Sequence, residues 1–201
     1  AHARKRAQEA DIVVINHHLL FADLALRDEG FGELLPGANA YILDEAHQLP
    51  ETASSFFGLA VTGNQLLELA RDSVGEERKE AGESRKVSKV ADQLERAVRD
   101  LRLAFGKELR RSPWSEVANS SEVSGAVSAV AEALSELGQT LEPLAARGKG
   151  LESCYRRIQS LIEQFALLTG ASPDDYIHWF ETHTRSFTIN LTPLDVAQHF
   201  K

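Results

Sequence analysis

Three stretches of the chain carry apolar residues at helical spacing. Val87, Val90, Ala91, Leu94, Ala97, Val98, Leu101, Ala104 and Phe105 make the first, and Val123, Ala126, Val127, Val130, Leu134, Leu137, Leu141 and Leu144 the second. Leu151, Cys154, Tyr155, Ile158, Leu161, Ile162, Phe165 and Leu168 make the third. Each is a one-sided apolar stripe with a 3.6-residue period, the mark of a helix that buries one face. Three such stripes with short connections cover one another as an antiparallel bundle.

The flanks read differently. Residues 2–10 are rich in strong helix formers and predict a helix, as does 19–26. Residues 11–15 and 40–43 are short apolar runs, which predict strands buried on both faces of a sheet. Helix, strand, helix, strand is a βαβ pattern, so the two strands are expected to run parallel in one sheet. Two strands do not make a stable open sheet, and more of it must come from elsewhere. Pro50 opens a helix expected to reach Phe57, and Thr62 with Gln65 spells a capping box.

Residues 73–84 are polar and contain glycine, and they predict a loop. Ser112-Pro113-Trp114 reads as a helix start. Tyr176 to Glu181 and Phe187 to Leu191 read as a β-hairpin. Thr192-Pro193-Leu194-Asp195 caps a last helix. The fold class is therefore mainly α: a helical bundle inserted into part of an α/β domain. Its boundaries are drawn at 1–58, 59–175 and 176–201.

Composition narrows this. A chain of 201 residues, 43% hydrophobic and 26% charged, can bury a real core. No apolar run approaches the roughly 20 residues of a membrane span and no signal-peptide pattern opens the chain, so a cytoplasmic protein without membrane contact is expected. Cys154 is the one cysteine. It lies on an apolar stripe and reads as a small core residue, leaving no internal disulfide and no cysteine-built cluster. The chain has no methionine and opens in what reads as mid-helix, as an excised fragment would.

The net charge of −8 argues against a wholesale nucleic-acid surface, but it is uneven. Residues 85–111 hold nine basic side chains against four acidic, a net of +5, and the rest of the chain is −13. Arg96, Arg99 and Arg102 lie in that stripe, which could follow a phosphate backbone. Solvated helix charges are the plainer reading, since Asp92, Glu95 and Asp100 are interleaved at i,i+4 distances.

The chemistry concentrates in Asp44-Glu45-Ala46-His47, where the second apolar run ends. In open α/β sheets ligands bind beyond the carboxyl ends of the strands. An aspartate there can hold the Mg²⁺ of a nucleoside triphosphate, and the next carboxylate can orient and deprotonate the attacking water. His47 can link the site to its neighbours. Against this stands a plain acidic helix start. Asn16, His17 and His18 close the first apolar run, and two adjacent histidines do not converge on a metal from either a strand or a helix.

Asp44-Glu45-Ala46-His47 resembles the DEAH form of motif II of superfamily-two helicases. The upstream run from Ala10 to Leu20 is similar to the segment preceding that box in the XPD/DinG branch, in the wording of its bacterial DinG and YoaA members. Trp179-Phe180-Glu181 and Pro193-Leu194-Asp195 resemble wording that recurs where that branch returns from its helical Arch domain to its first motor domain. The resemblance implies a 5′ to 3′ DNA helicase that spends ATP to translocate on single-stranded DNA in repair or replication.

By that resemblance Asp44 binds Mg²⁺, Glu45 activates water and His47 couples the nucleotide to DNA. Arg4, Asn16, His17 and His18 lie near the strand's path. It further implies ATP with Mg²⁺, a 4Fe–4S cluster in the parent enzyme, repair or replication proteins docking on the Arch, and a monomer. The cluster cysteines, the Gly-Lys-Thr P-loop and a second motor domain are not in this sequence, so the chain alone is expected to be inactive. The rival reading is a non-catalytic helical protein-interaction module.

Overall fold

The computed structural model describes residues 2–28, 34–49, 52, 57–82, 85–171 and 175–194. Two compact units divide the chain, one formed by residues 1–58 with 192–201 and the other by residues 59–191. The molecule is mainly helical, with one small antiparallel sheet.

In the larger unit, helices α3 (Gly63–Glu80), α4 (Arg85–Ala104), α5 (Ser121–Leu141) and α6 (Lys149–Thr169) pack as a four-membered ring. α4 lies against α3 and α5, and α6 against α5 and α3. The three apolar stripes form α4, α5 and α6 as their spacing requires. Val87, Leu94, Leu101, Val130, Leu134, Leu137, Leu151, Ile158 and Leu168 are all fully or almost fully buried.

The fourth helix runs through the expected loop at 73–84. α3 continues to Glu80, with the Ser73 hydroxyl donating to Leu69 O at 2.7 Å and Lys79 paired with Glu76 at 2.6 Å. Its entry is the capping box expected from Thr62. Gln65 N donates to the Thr62 hydroxyl at 3.1 Å, and Thr62 N donates to the Gln65 side chain at 2.8 Å.

α6 begins at Gly148, which has no side chain to cap it. The Glu80 carboxylate supplies the cap from α3, accepting from Gly150 N at 3.0 Å and Leu151 N at 2.8 Å. A Cβ at Gly148 would stand 2.1 Å from that bonded carboxylate, so the cap needs glycine there, whereas one at Gly150 would meet only the end of the Glu76 side chain, which can turn away. These bonds hold the Glu80 carboxyl below its ordinary range.

Strands β1 (Leu59–Thr62), β2 (Arg111–Pro113), β3 (Tyr176–Thr182) and β4 (Phe187–Pro193) form a sheet in the order β1-β4-β3-β2. The expected hairpin is β3–β4. β1 pairs antiparallel with β4, Leu59 opposite Leu191, and β2 with β3, Pro113 opposite Trp179. Alternation on β4 sends Phe187, Ile189 and Leu191 inward and Thr188 and Asn190 outward. Phe105, at the end of α4, stacks on Phe180 at 4.8 Å and meets Phe187 edge-on at 5.4 Å, joining bundle and sheet in one core. Cys154 is buried in it, as expected. Burial pushes its thiol up, so it is a packing residue and not a nucleophile.

Ser112-Pro113-Trp114 does not open an α-helix. Arg111 to Pro113 are claimed by the edge of the sheet, and a single 3-10 turn follows from Trp114. The next α-helix waits for Ser120, whose hydroxyl accepts from Val123 N.

In the smaller unit, α1 (His2–Gln8) and α2 (His17–Asp28) form as expected. The buried parallel strands at 11–15 and 40–43 do not. Neither segment carries a ladder, and Ile12, Val14 and Ile42 are 83%, 92% and 97% exposed. Neither run pairs with a strand among the described residues, and a strand without a neighbour has unpaired backbone along both edges. The helix expected over 50–57 falls mostly outside the described residues. β4 runs on through Pro193, and most of the helix expected after it lies outside them too. No helix among the described residues is long and apolar enough to cross a membrane.

Candidate functional site

Asp44 and Glu45 end an unpaired apolar run and lead into a 3-10 turn at Ala46–Gln48. Asp44 Oδ1 accepts from Glu45 N at 2.9 Å, which fixes the turn and leaves the second carboxylate oxygen open. Glu45 sits at φ 49° in the left-handed region, alone among the described non-glycine residues. Such a conformation costs a non-glycine residue of order 1 kcal/mol. The turn closes with Gln48 N donating to Glu45 O at 2.9 Å.

Glu45 Oε2 stands 3.2 Å from His47 Nδ1, so the glutamate and the histidine share a face of the turn. Asp44, Glu45 and His47 are all exposed. This donor set suits Mg²⁺, a hard cation that takes one or two carboxylates and completes its shell with water and phosphate oxygens. No cluster of three or more metal-binding side chains occurs among the described residues, and a cage ion is not what these carboxylates would hold. A phosphate cradle of the P-loop kind is not in this sequence, and its single buried cysteine cannot ligate an iron–sulfur cluster.

The residues expected to meet DNA fall in two sets. Arg4 lies on α1. Asn16 is placed as the cap of α2 and not at a strand end: its Oδ1 accepts from Leu19 N at 2.8 Å. His17 and His18 are therefore in the first turn of α2, the former half-buried and the latter exposed. In the larger unit, Arg96 Nε donates to Asp92 O at 3.1 Å, and Arg99 pairs with Glu95 at 2.5 Å. Arg102 is buried, with both its bonded nitrogens committed to backbone carbonyls of His183 and Gly106.

Two more arginines of the 85–111 stripe meet aromatic rings. Arg110 lies 5.2 Å from the Phe180 ring centre and Arg111 only 3.6 Å from that of Trp179. The adjacent arginines before Ser112 and the Trp179-Phe180 pair were the available signal, but only the β2–β3 register brings them together.

Along its whole length the chain is similar to ATP-dependent DNA helicases named YoaA, and over part of it to one named DinG. The chain is 38% identical over all of its 201 residues to the ATP-dependent DNA helicase YoaA of Haemophilus influenzae and 36% identical over 199 residues to YoaA of Escherichia coli. It is 42% identical over 62 residues to the ATP-dependent DNA helicase DinG of Photobacterium profundum. The chain spans 31% of the length of each YoaA relative and 8% of the DinG relative is matched. No protein-family model matches it.

Proposed function

We propose that this chain is the motif II and Arch portion of an ATP-driven, 5′ to 3′ DNA helicase of the XPD/DinG type, acting in repair or replication. The observation that carries the reading is similarity to two helicases along the whole chain, so that it includes the Asp44-Glu45-Ala46-His47 turn. In this reading residues 1–58 and 176–201 belong to a RecA-like motor domain and 59–175 to the Arch. The exposed apolar runs at 11–15 and 40–43 are strands of the motor sheet, paired in the full protein with strands from outside this chain.

Bound Mg²⁺ would neutralise phosphate charge at the site, with Asp44 as its protein ligand. Glu45 takes the proton of the attacking water, and its left-handed backbone points the carboxylate back along the turn toward His47. His47 holds Glu45 in place and passes the state of the nucleotide site to the DNA-binding elements. Arg4, Asn16, His17 and His18 line the DNA path from the motor side, with Arg96 and Arg99 on the Arch side. Arg102 acts by positioning, since its own donors are engaged. ATP, Mg²⁺ and a 4Fe–4S cluster belong to the whole enzyme, a cytoplasmic monomer that meets single-stranded DNA and, at the Arch, repair or replication proteins.

Glu45→Gln in the full-length protein tests this. DNA-stimulated ATP hydrolysis should fall by about 10²- to 10⁴-fold, the range of a general base, while ATP binding persists. Unchanged hydrolysis would overturn the assignment. The isolated chain should show no ATP turnover, and measurable turnover would refute that part.

A further inference from the structure

Two buried polar side chains in the larger unit hold two exposed backbone segments side by side. Arg102, 8% exposed, donates from Nε to His183 O at 2.7 Å and from Nη1 to Gly106 O at 2.6 Å. Thr182, 3% exposed, donates to Glu108 O at 2.7 Å and accepts from Arg110 N at 2.9 Å, while its own N donates to Arg110 O at 2.9 Å. Burying a guanidinium that bonds two carbonyls and joins no ion pair among the described residues is expensive. What it fixes is the loop at 106–110 against the β3–β4 turn, itself closed by His183 N donating to Ser186 O at 2.8 Å.

Between these segments lies an open groove of about 320 Å³, whose walls include Arg110, Arg111, Thr182, His183, Thr184 and Glu181. Lys107 and Arg185 stand on the same two segments, exposed and outside every ion pair among the described residues. Arg110 meets Glu116 at 3.5 Å and lies over the Phe180 ring, and the Arg111 guanidinium carbon stands 3.6 Å from the Trp179 ring centre. Glu181, opposite Arg111 in the register, is the carboxylate of the groove wall. On α4, by contrast, Arg99 shares Glu95 with Arg71. Four cations on a rigid frame, two of them, Lys107 and Arg185, outside every ion pair among the described residues, with the Thr184 hydroxyl and His183 between them, suit the spaced phosphates of one nucleic-acid strand.

We propose that the groove between the loop at 106–110 and the β3–β4 turn binds the phosphate backbone of single-stranded DNA, with Lys107, Arg110, Arg111 and Arg185 as its cations. This rests on the DNA-binding reading above and deepens it by moving the main contact from the α4 stripe to the sheet edge.

The test uses this chain and a fluorescent oligo-dT, with affinity measured across a salt series. Each phosphate contact on a single strand contributes about 0.7 to the slope of log affinity against log salt. The variant K107Q/R111Q/R185Q should therefore lower the slope by about 2 and weaken low-salt binding by roughly tenfold or more. R85Q/K89Q/R147Q, which removes three exposed cations elsewhere in the unit, should change either much less. E181Q, which removes the groove's carboxylate, should tighten binding, and it guards against loss through misfolding of the triple variant.

Equal losses in the two triple variants, or no loss in the first, would overturn the groove while the DNA-binding reading stands. No binding by the unmodified chain at low salt would overturn both. Displacement of oligo-dT by polyglutamate at equal charge concentration would overturn the assignment to DNA in favour of an acidic protein.

Discussion

The helical unit and the runs at 11–15 and 40–43 are built from equally apolar residues, yet Leu94, Leu101 and Leu134 are fully buried while Ile42 is 97% exposed. A helix closes its backbone hydrogen bonds within itself, so an apolar stripe needs only another stripe, and α3 to α6 provide four. A strand closes its bonds on a neighbour. An apolar run of five residues is a statement about a partner, and where the described residues hold none the run stays open.

The largest expected effect lies on the self-sufficient side. Phe180→Ala removes a fully buried ring from the stack with Phe105 and should cost about 3–5 kcal/mol in denaturant unfolding of the chain. A loss below about 1 kcal/mol would mean that sheet and bundle do not share a core. Gly148→Ala would put a methyl on the Glu80 carboxylate and break the cap across helices, a loss of about 1–2 kcal/mol by the same measurement. Thr62→Ala should cost about 1 kcal/mol by removing half of the capping box.

Glu80 adds a pH signature. Its folded value lies below the ordinary 4.5, so the unfolded chain binds more protons in acid. Its contribution is present in full above 4.5 and lost as pH falls through the depressed value. Glu80→Gln should therefore flatten the acid limb of a stability profile, and an unchanged limb would discount the cap. The smallest effect is expected at Ile42→Ser, within about 0.5 kcal/mol for this chain because the side chain is already in water. The same change in the full-length protein should be strongly destabilising if the run is a buried strand there, and equal small effects in both would break the comparison.

Legibility in the sequence follows the same division. The stripes of α4, α5 and α6, the capping box at Thr62, the β3–β4 hairpin and buried Cys154 are local or periodic, and each could be read directly. α3 beyond Ser73 could not, because Glu76, Glu77 and Glu80 look like solvent-facing loop residues until α6 arrives to use Glu80. β1 and β2 are four and three residues long, too short to show alternation, and exist through pairing with β4 and β3. At the candidate site, the residue types of Asp44, Glu45 and His47 were plain from the motif. The left-handed backbone of Glu45 was not, since nothing in a glutamate's neighbours announces it. The committed donors of Arg102 depend on His183, 81 residues away.

The Glu80 cap has one more consequence. It ties the chain to itself across 70 residues, closing with one carboxylate and two amides the circuit that α4, β2 and α5 make. The α4–α5 connection is fastened a second time, by the β2–β3 ladder and by Arg102 and Thr182, so the circuit is clamped at both of its ends and transmits load as a closed frame.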